Sequence, residues 1–374
     1  MGELIETLTD PRVTAEAAIK RERVRAWLDR KGLDGVILSR RDTFAWITCG
    51  GDSRVVSASE TGVGHIVITR DAQYLVAYSM DAERMLTDQA PGQGYERVTV
   101  YWYEGDERER AKALAGKKVG ADTVFAGTEY VYDEIKEMQW PLTDIELERT
   151  RWLGRQENEL LVKVFSEVQP GMSEKDILKM VHCEIVQRGM DLIVPIVGSD
   201  ERIFKYRHIL ATDKVLERYL LLGPVVRRWG LHALVSRTAY FGEPPVEVQK
   251  AFNVVATIEA RLISSLRAGL PFKTILEWQK SWYAELGFPD GWTFHFQGGP
   301  TGYALVDCGQ NQTDHTVCCP QAFSWFTTAR GGKVEELAVI TEQGPEIASM
   351  GPGWPTVDID TEQGKFTVPG MLIR

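Results

Sequence analysis

The stretch over residues 207–242, RHILATDKVLERYLLLGPVVRRWGLHALVSRTAYFG, constrains the fold more than any other part of the chain. It reads as a loop carrying a histidine, a buried strand over 219–222, a turn through Arg227-Arg228-Trp229-Gly230, and a second strand ending in Ser236-Arg237-Thr238. Short apolar runs bounded by turn residues bury their polar backbone only by pairing in a sheet. Two later pieces are expected to join this sheet region: His295-Phe296-Gln297-Gly298-Gly299 and Lys333-Val334-Glu335-Glu336.

Upstream, residues 14–31 form an amphipathic helix with Ala18, Val24, Trp27 and Leu28 on one face, stopped by Gly32. Strands are expected at 33–38, 65–69, 74–78, 97–103 and from 118, with helices at 81–89 and 108–115. Helices alternating with strands over the first 150 residues indicate one α/β domain. A boundary is placed at 150, where Leu142-Thr143-Asp144 offers a helix cap and a charged helix follows. The second domain, 151–374, repeats its punctuation. A helix, the turn Pro170-Gly171, a helix capped by Ser173 and then Gly189 are echoed by a helix over 246–266, the turn Gly269-Leu270-Pro271, a helix over 274–286 and Gly287. The Pro- and Gly-rich tail from Gly351 is expected to be a surface strap.

Composition narrows the function classes. A chain of 374 residues that is 44% hydrophobic and 26% charged is long enough for two packed cores. The net charge of −10 opposes a phosphate backbone, so nucleic acid is not an expected partner. No apolar run is long enough to cross a bilayer, and the start, MGELIETLTDPRV, lacks the apolar core of a secretory peptide. Five irregularly spaced cysteines point to reduced thiols and a cytoplasmic location.

The order strand, GLHALVSRT, helix, HFQGG, strand, KVEELAVIT resembles the catalytic domain of the pita-bread family of creatinase, prolidase and methionine aminopeptidase. The phrases ELERTRWLGRQENELL, PGMSEKDI and RTAYFG add to the likeness, which covers residues 14–350. It implies an α/β N-terminal domain followed by an α+β pita-bread domain (the creatinase/aminopeptidase fold), and a homodimer. Metal-dependent members hold two divalent ions through two aspartates, a histidine and two glutamates. On this chain those positions fall at Gly223, Leu234, Gly299, Phe326 and Glu335. One carboxylate in place of five ligands does not hold two ions, so neither a metal nor any other cofactor is expected.

The resemblance also implies side-chain catalysis of the creatinase kind. His208 matches the catalytic histidine and Glu335 one catalytic glutamate, while the other glutamate falls at Ser236. His295 matches a histidine that metal-dependent members place beside the substrate. Read from the residues alone, a histidine titrates near neutrality and can take and return a proton. His208, Glu335 and His295 are therefore the expected catalytic set, with a packed structural role as the alternative for each histidine. Substrate contacts are assigned to Arg237, His232, Ser236 and Tyr303, and to Arg54 and Trp46 as loop residues that close a partner's pocket. For Arg237 the alternative is a structural ion pair.

The expected function is metal-independent hydrolysis of a C–N bond in a small polar or zwitterionic, non-peptide molecule. Alternatives are a lyase or isomerase on the same site, a non-catalytic binding protein, or a metallopeptidase if the ligands are placed wrongly. A relocated metal site using His232, Asp307 and His315 has no spacing to recommend it.

Overall fold

The computed structural model describes residues 4–306 and 314–374. The chain divides into two compact units, residues 1–139 with 229–231, and residues 140–228 with 232–374. The boundary placed at 150 is corrected by this division, because a single helix runs from Asp144 to Glu167. That helix starts where a capping box forms: the Thr143 hydroxyl accepts from Glu146 N, and the Glu146 carboxylate accepts from Thr143 N.

In the first unit α1 (Pro11–Lys31) is capped by the Asp10 carboxylate and ends at Gly32, which takes the left-handed conformation that glycine adopts without strain. The strands are β1 (Gly35–Arg40), β2 (Thr61–Thr69), β3 (Gln73–Tyr78), β4 (Glu96–Val100), β5 (Val119–Ala121) and β6 (Glu129–Tyr130). They form one mixed sheet in the order β4-β3-β2-β1-β5-β6. Helices α2 (Arg41–Ile47), α3 (Ala82–Arg84), α4 (Glu107–Ala115) and α5 (Tyr132–Gln139) complete the unit. Buried Asp122 ties β1 to α2 by accepting from Ser39 N and Arg40 N at 2.9 Å and from the Thr43 hydroxyl. An α/β unit is what the alternating pattern predicts, although the strand expected over 97–103 ends at Val100.

The second unit opens with α6 (Asp144–Glu167) and α7 (Glu174–Gln187), the latter capped by Ser173. There follow β7 (Asp191–Ser199), α8 (Glu201–Lys205), β8 (Tyr219–Arg228), β9 (Leu231–Leu234), β10 (Arg237–Tyr240), α9 (Val246–Ser264) and α10 (Phe272–Glu285). The later strands are β11 (Gly298–Pro300), β12 (Gln321–Trp325), β13 (Thr327–Ala329), β14 (Gly332–Val334), β15 (Leu337–Thr341), β16 (Gly344–Ile347), β17 (Thr356–Thr361), β18 (Gly364–Pro369) and β19 (Leu372–Ile373). One sheet runs β19-β10-β8-β7, with β9 on β8, a second runs β11-β12-β15-β16, and β13-β14 and β17-β18 form two-stranded sheets.

The two helical repeats are visible in the backbone. Gly171 and Gly269 in the turns, and Gly189 and Gly287 after the second helices, all have positive φ. Ile258, Leu262, Phe272, Tyr283, Phe323, Trp325 and Ile340 pack α9 and α10 against the second sheet. Each such side chain contributes about 1.5–3 kcal/mol on burial.

Two expectations change here. The strand read as 219–222 extends to Arg228, because its apolar run continues through Val225 and Val226 against β7. The tail is no loose strap. It forms the hairpin β17–β18 and then adds β19 to the sheet in parallel with β10. Its prolines and glycines sit at turns and strand ends, which is where a hairpin tolerates them.

Candidate active site

The site begins with the loop between α8 and β8, which carries Arg207 and His208. Two carboxylates, one of them fully buried, fix its ends. Glu174, fully buried at the start of α7, accepts from Ser199 N and Thr212 N at 2.9 Å and also pairs with Arg202. Asp200 accepts from the backbone N–H groups of Glu217, Arg218 and Tyr219 at 2.8–2.9 Å. A carboxylate that accepts several backbone donors holds a loop more firmly than neutral hydrogen bonds do.

Strand alternation supplies the other wall. Lys333 lies on β14 opposite Thr328 of β13. Two residues on, Glu335 returns to the same face, and Glu336 turns to the other. Lys333 Nζ stands 2.8 Å from Glu335 Oε1, and Arg207 Nη2 is 3.3 Å from the same oxygen. Burial pushes the Glu335 carboxyl up, but Lys333 and Arg207 together outweigh it and hold the group below its ordinary value. Burial is also the largest influence on Lys333, whose ammonium falls to about 8 against the opposing pull of Glu335.

His208 and His295 meet through their Nε2 atoms at 3.1 Å. His295 Nδ1 faces the Phe296 carbonyl, which only accepts, so Nδ1 carries the proton. His295 Nε2 is then an acceptor, and His208 Nε2–H donates to it. Desolvation, aided by Arg207, lowers His295 to about 4 and lowers His208 as well. Both rings are therefore neutral at neutral pH. The Gln297 amide donates to the His295 carbonyl at 2.7 Å, and the buried Tyr283 hydroxyl donates to Gln297 Oε1 at 3.0 Å. Beside this pair, Arg207 and Lys333 help to line a cleft of about 210 Å³.

The residues at the family's metal positions do not fit a divalent pair. A Cβ on Gly223 would lie 3.0 Å from Lys333 Nζ and 3.6 Å from Glu335 Oε2, so the ammonium stands where a first aspartate would reach. Leu234 and Phe326 pack with Val225 in an apolar cluster that Leu305 and Val306 cover. Gly299 offers no side-chain donor and lies on β11. Among the described residues no group of three or more His, Cys, Asp or Glu side chains is arranged to hold a metal ion. Asp307 lies outside the described residues.

The structure brings together four of the residues singled out in the sequence: His208, His295, Glu335 and Ser236. Ser236 is buried, its Oγ has no hydrogen-bond partner, and its backbone N donates to the Glu335 carbonyl at 2.9 Å. The role first given to Glu335 changes. Two cations keep it ionised, so it anchors charge rather than carrying protons.

Four other assignments are corrected. Arg237 does not reach Glu335; it is buried against Glu336 at 2.5 Å and donates to the carbonyls of Ser236 and Ser349. That is the structural ion pair. His232 is buried with Nδ1 3.0 Å from the Gly302 carbonyl, a packed role. Tyr303 is buried and is not among the residues lining the cleft. Trp46 lies inside α2 with none of its surface exposed, so it offers nothing to a partner. Arg54 is half-buried and pairs with Asp52 at 2.9 Å. Arg207 and Lys333 were missed. Counting back two residues from Glu335 along its strand would have found Lys333, whereas Arg207 reaches Glu335 across 128 positions and leaves no local signal.

The comparisons bear on the fold. Residues 148–321 match the model of Metallopeptidase family M24. No curated protein matches the chain by sequence. Among solved structures the chain is similar to dipeptidase PepE from Mycobacterium ulcerans, at 16% identity and TM-score 0.77 over 96% of this chain and 98% of that one. It is similar to an Xaa-Pro dipeptidase from Bacillus anthracis, at 18% identity and TM-score 0.74 over 96% and 100%. It is also similar to the N-terminal domain of FACT complex subunit SPT16 from Cicer arietinum, at 13% identity and TM-score 0.68 over 90% and 97%. No described helix is long and apolar enough to cross a membrane. Residues 148–321 thus match a domain of metallopeptidase family M24, and the chain as a whole has the two-domain pita-bread fold of these similar structures.

Proposed function

We propose that the protein is a metal-independent hydrolase that cleaves a C–N bond of amide type in a small polar or zwitterionic molecule. The observation that carries this reading is the His208–His295 contact at 3.1 Å, held neutral beside an ionised Glu335. A neutral imidazole takes a proton from water as the oxygen attacks the carbonyl carbon. The imidazolium then returns that proton to the nitrogen as the C–N bond breaks. Glu335 stabilises the transient positive charge on the ring.

Metal independence is supported by the donor set, since four of the five family positions carry no ligating side chain and Lys333 fills the space beside Gly223. The family match and the dipeptidases among similar structures keep peptide bonds within the substrate class, so dipeptides belong in the screen with ureas, amidines and cyclic amides. Lyase and isomerase steps would use the same proton transfers. The chain would act as a homodimer in the cytoplasm, with Arg54 approaching the partner subunit.

The test is turnover by chelator-treated protein across that screen. Activity that survives chelation and drops at least about 100-fold in His208→Ala and His295→Ala supports the reading. Activity that chelation abolishes and manganese or zinc restores would refute it. A second reading, a binding protein without turnover, is favoured by the apolar cluster of Leu234 and Phe326 at two former ligand positions. It predicts ligand binding with no turnover anywhere in the screen.

A further inference from the structure

The cleft beside the histidine pair has a lining of one charge. Lys205, Arg207, Arg330 and Lys333 all face it, and among the described residues no aspartate or glutamate lines it. Lys205 and Arg330 are exposed, whereas Lys333 is only 4% exposed. The basic residues thus run from solvent to a buried ammonium. Arg207 Nε and Nη1 are buried and have no hydrogen-bond partner, and Lys333 Nζ contacts Glu335 without a well-directed hydrogen bond. Two cations, one buried and one partly buried, therefore face one carboxylate. The neighbouring pair Arg237 and Glu336 offset each other and return nothing to this balance. A buried charge without a partner is costly, and so is a buried donor without an acceptor.

We propose that Arg207 and Lys333 bind a carboxylate of the substrate, occupying with a fixed cation pair the region that metal-dependent relatives give to ions. A carboxylate has lone pairs for the free edge of the Arg207 guanidinium and for the Lys333 ammonium together. Leu221 and Phe294 supply apolar wall on the same cleft. At about 210 Å³ the space falls below the roughly 300–1,000 Å³ of drug-sized pockets. The ligand class is thus a small carboxylic acid with a short apolar body, such as an N-acyl amino acid or the C-terminal residue of a dipeptide. Arg207 acts electrostatically on both His208 and His295, so an acid anchored on Arg207 would hold the scissile bond near the histidine pair.

This assignment rests on the hydrolase reading for what happens to the ligand, but its binding arm stands apart. Calorimetry on the full chain would compare N-acetyl-L-leucine with its uncharged amide, N-acetyl-L-leucinamide, and with inorganic phosphate. The acid is expected to bind at least about tenfold tighter than the amide. Lys333→Met should remove that preference and leave the amide unchanged, and Arg207→Gln, on the more exposed partner, should reduce it if Lys333→Met does not fold. Equal binding of acid and amide, no binding of the acid at millimolar concentration, or displacement of the acid by phosphate would each overturn the proposal. Tight binding of the acid without turnover of any substrate would sink the hydrolase reading and leave the carboxylate site standing. Turnover of amides as fast as acids would do the reverse.

Discussion

Replacing Arg237 by methionine tests whether this residue serves the structure or a substrate. Its Nη1 stands 2.5 Å from Glu336 Oε1, and its Nη2 donates to the Ser349 carbonyl at 3.1 Å. The side chains of the pair are 1% and 0% exposed, so solvent screens the interaction very little. Removing one partner of a buried pair costs about 3–5 kcal/mol, because the other charge is left without compensation. For a unit of about 230 residues each kcal/mol moves the melting temperature by about 2–4 °C. The expected loss is thus about 6–20 °C by scanning calorimetry of the intact chain.

The pH dependence carries a sign. Burial already raises the Glu336 carboxyl, against the pull of Arg237. Without Arg237 that value rises further, so the folded variant holds a proton that the unfolded chain releases. The stability of Arg237→Met should therefore fall as pH rises through and above the ordinary glutamate value, more steeply than in the parent. The double variant Arg237→Met, Glu336→Leu should recover most of the loss, since an apolar replacement of both charges leaves none stranded. A loss below about 1 kcal/mol for Arg237→Met, or a double variant no better than the single one, would refute the assignment of this pair as structural.

Three further outcomes can be checked. Glu174→Gln should leave the fold intact but loosen the loop that carries Arg207 and His208, read as faster amide exchange over residues 200–212 and a drop in kcat once a substrate is in hand. The His295 ring should titrate near 4 by NMR, and its contribution to stability should be complete above about 6.5 and decline as pH falls from there towards 4, because the unfolded chain takes up the proton first; a ring titrating at an ordinary value would contradict the desolvated pair. Protein grown with manganese, cobalt and zinc should purify with near-zero metal by elemental mass spectrometry, whereas stoichiometric metal would mean that the ligand positions are misplaced and would restore the metallopeptidase reading.

What the sequence alone determined here is local chemistry. Gly32, Gly189 and Gly287 marked helix ends because a left-handed residue ends a helix without strain only where a Cβ is missing. Thr143 and Ser173 marked helix starts because their hydroxyls accept from backbone donors two or three residues on. Period-two alternation put Glu335 and Glu336 on opposite faces, and so predicted that only one of them could serve the site. Family order then singled out His208 and His295, 87 positions apart and in contact in the structure.

The tertiary structure decided the partners. No local pattern says that Arg237 pairs with Glu336 rather than Glu335, because both carboxylates lie about 100 positions away in sequence and the choice depends on which face of the strand the guanidinium meets. Nor does any pattern bury Trp46, whose helix looks like a polar loop until the sheet packs on it. The cation at the heart of the site is of the same kind. Lys333 reads as a surface lysine in sequence, and only the fold, by closing β14 over Gly223, takes it out of water and leaves it facing one carboxylate in a cleft of basic residues. Desolvation and charge balance depend on everything packed around a group, and packing is a property of the whole chain rather than of any stretch of it.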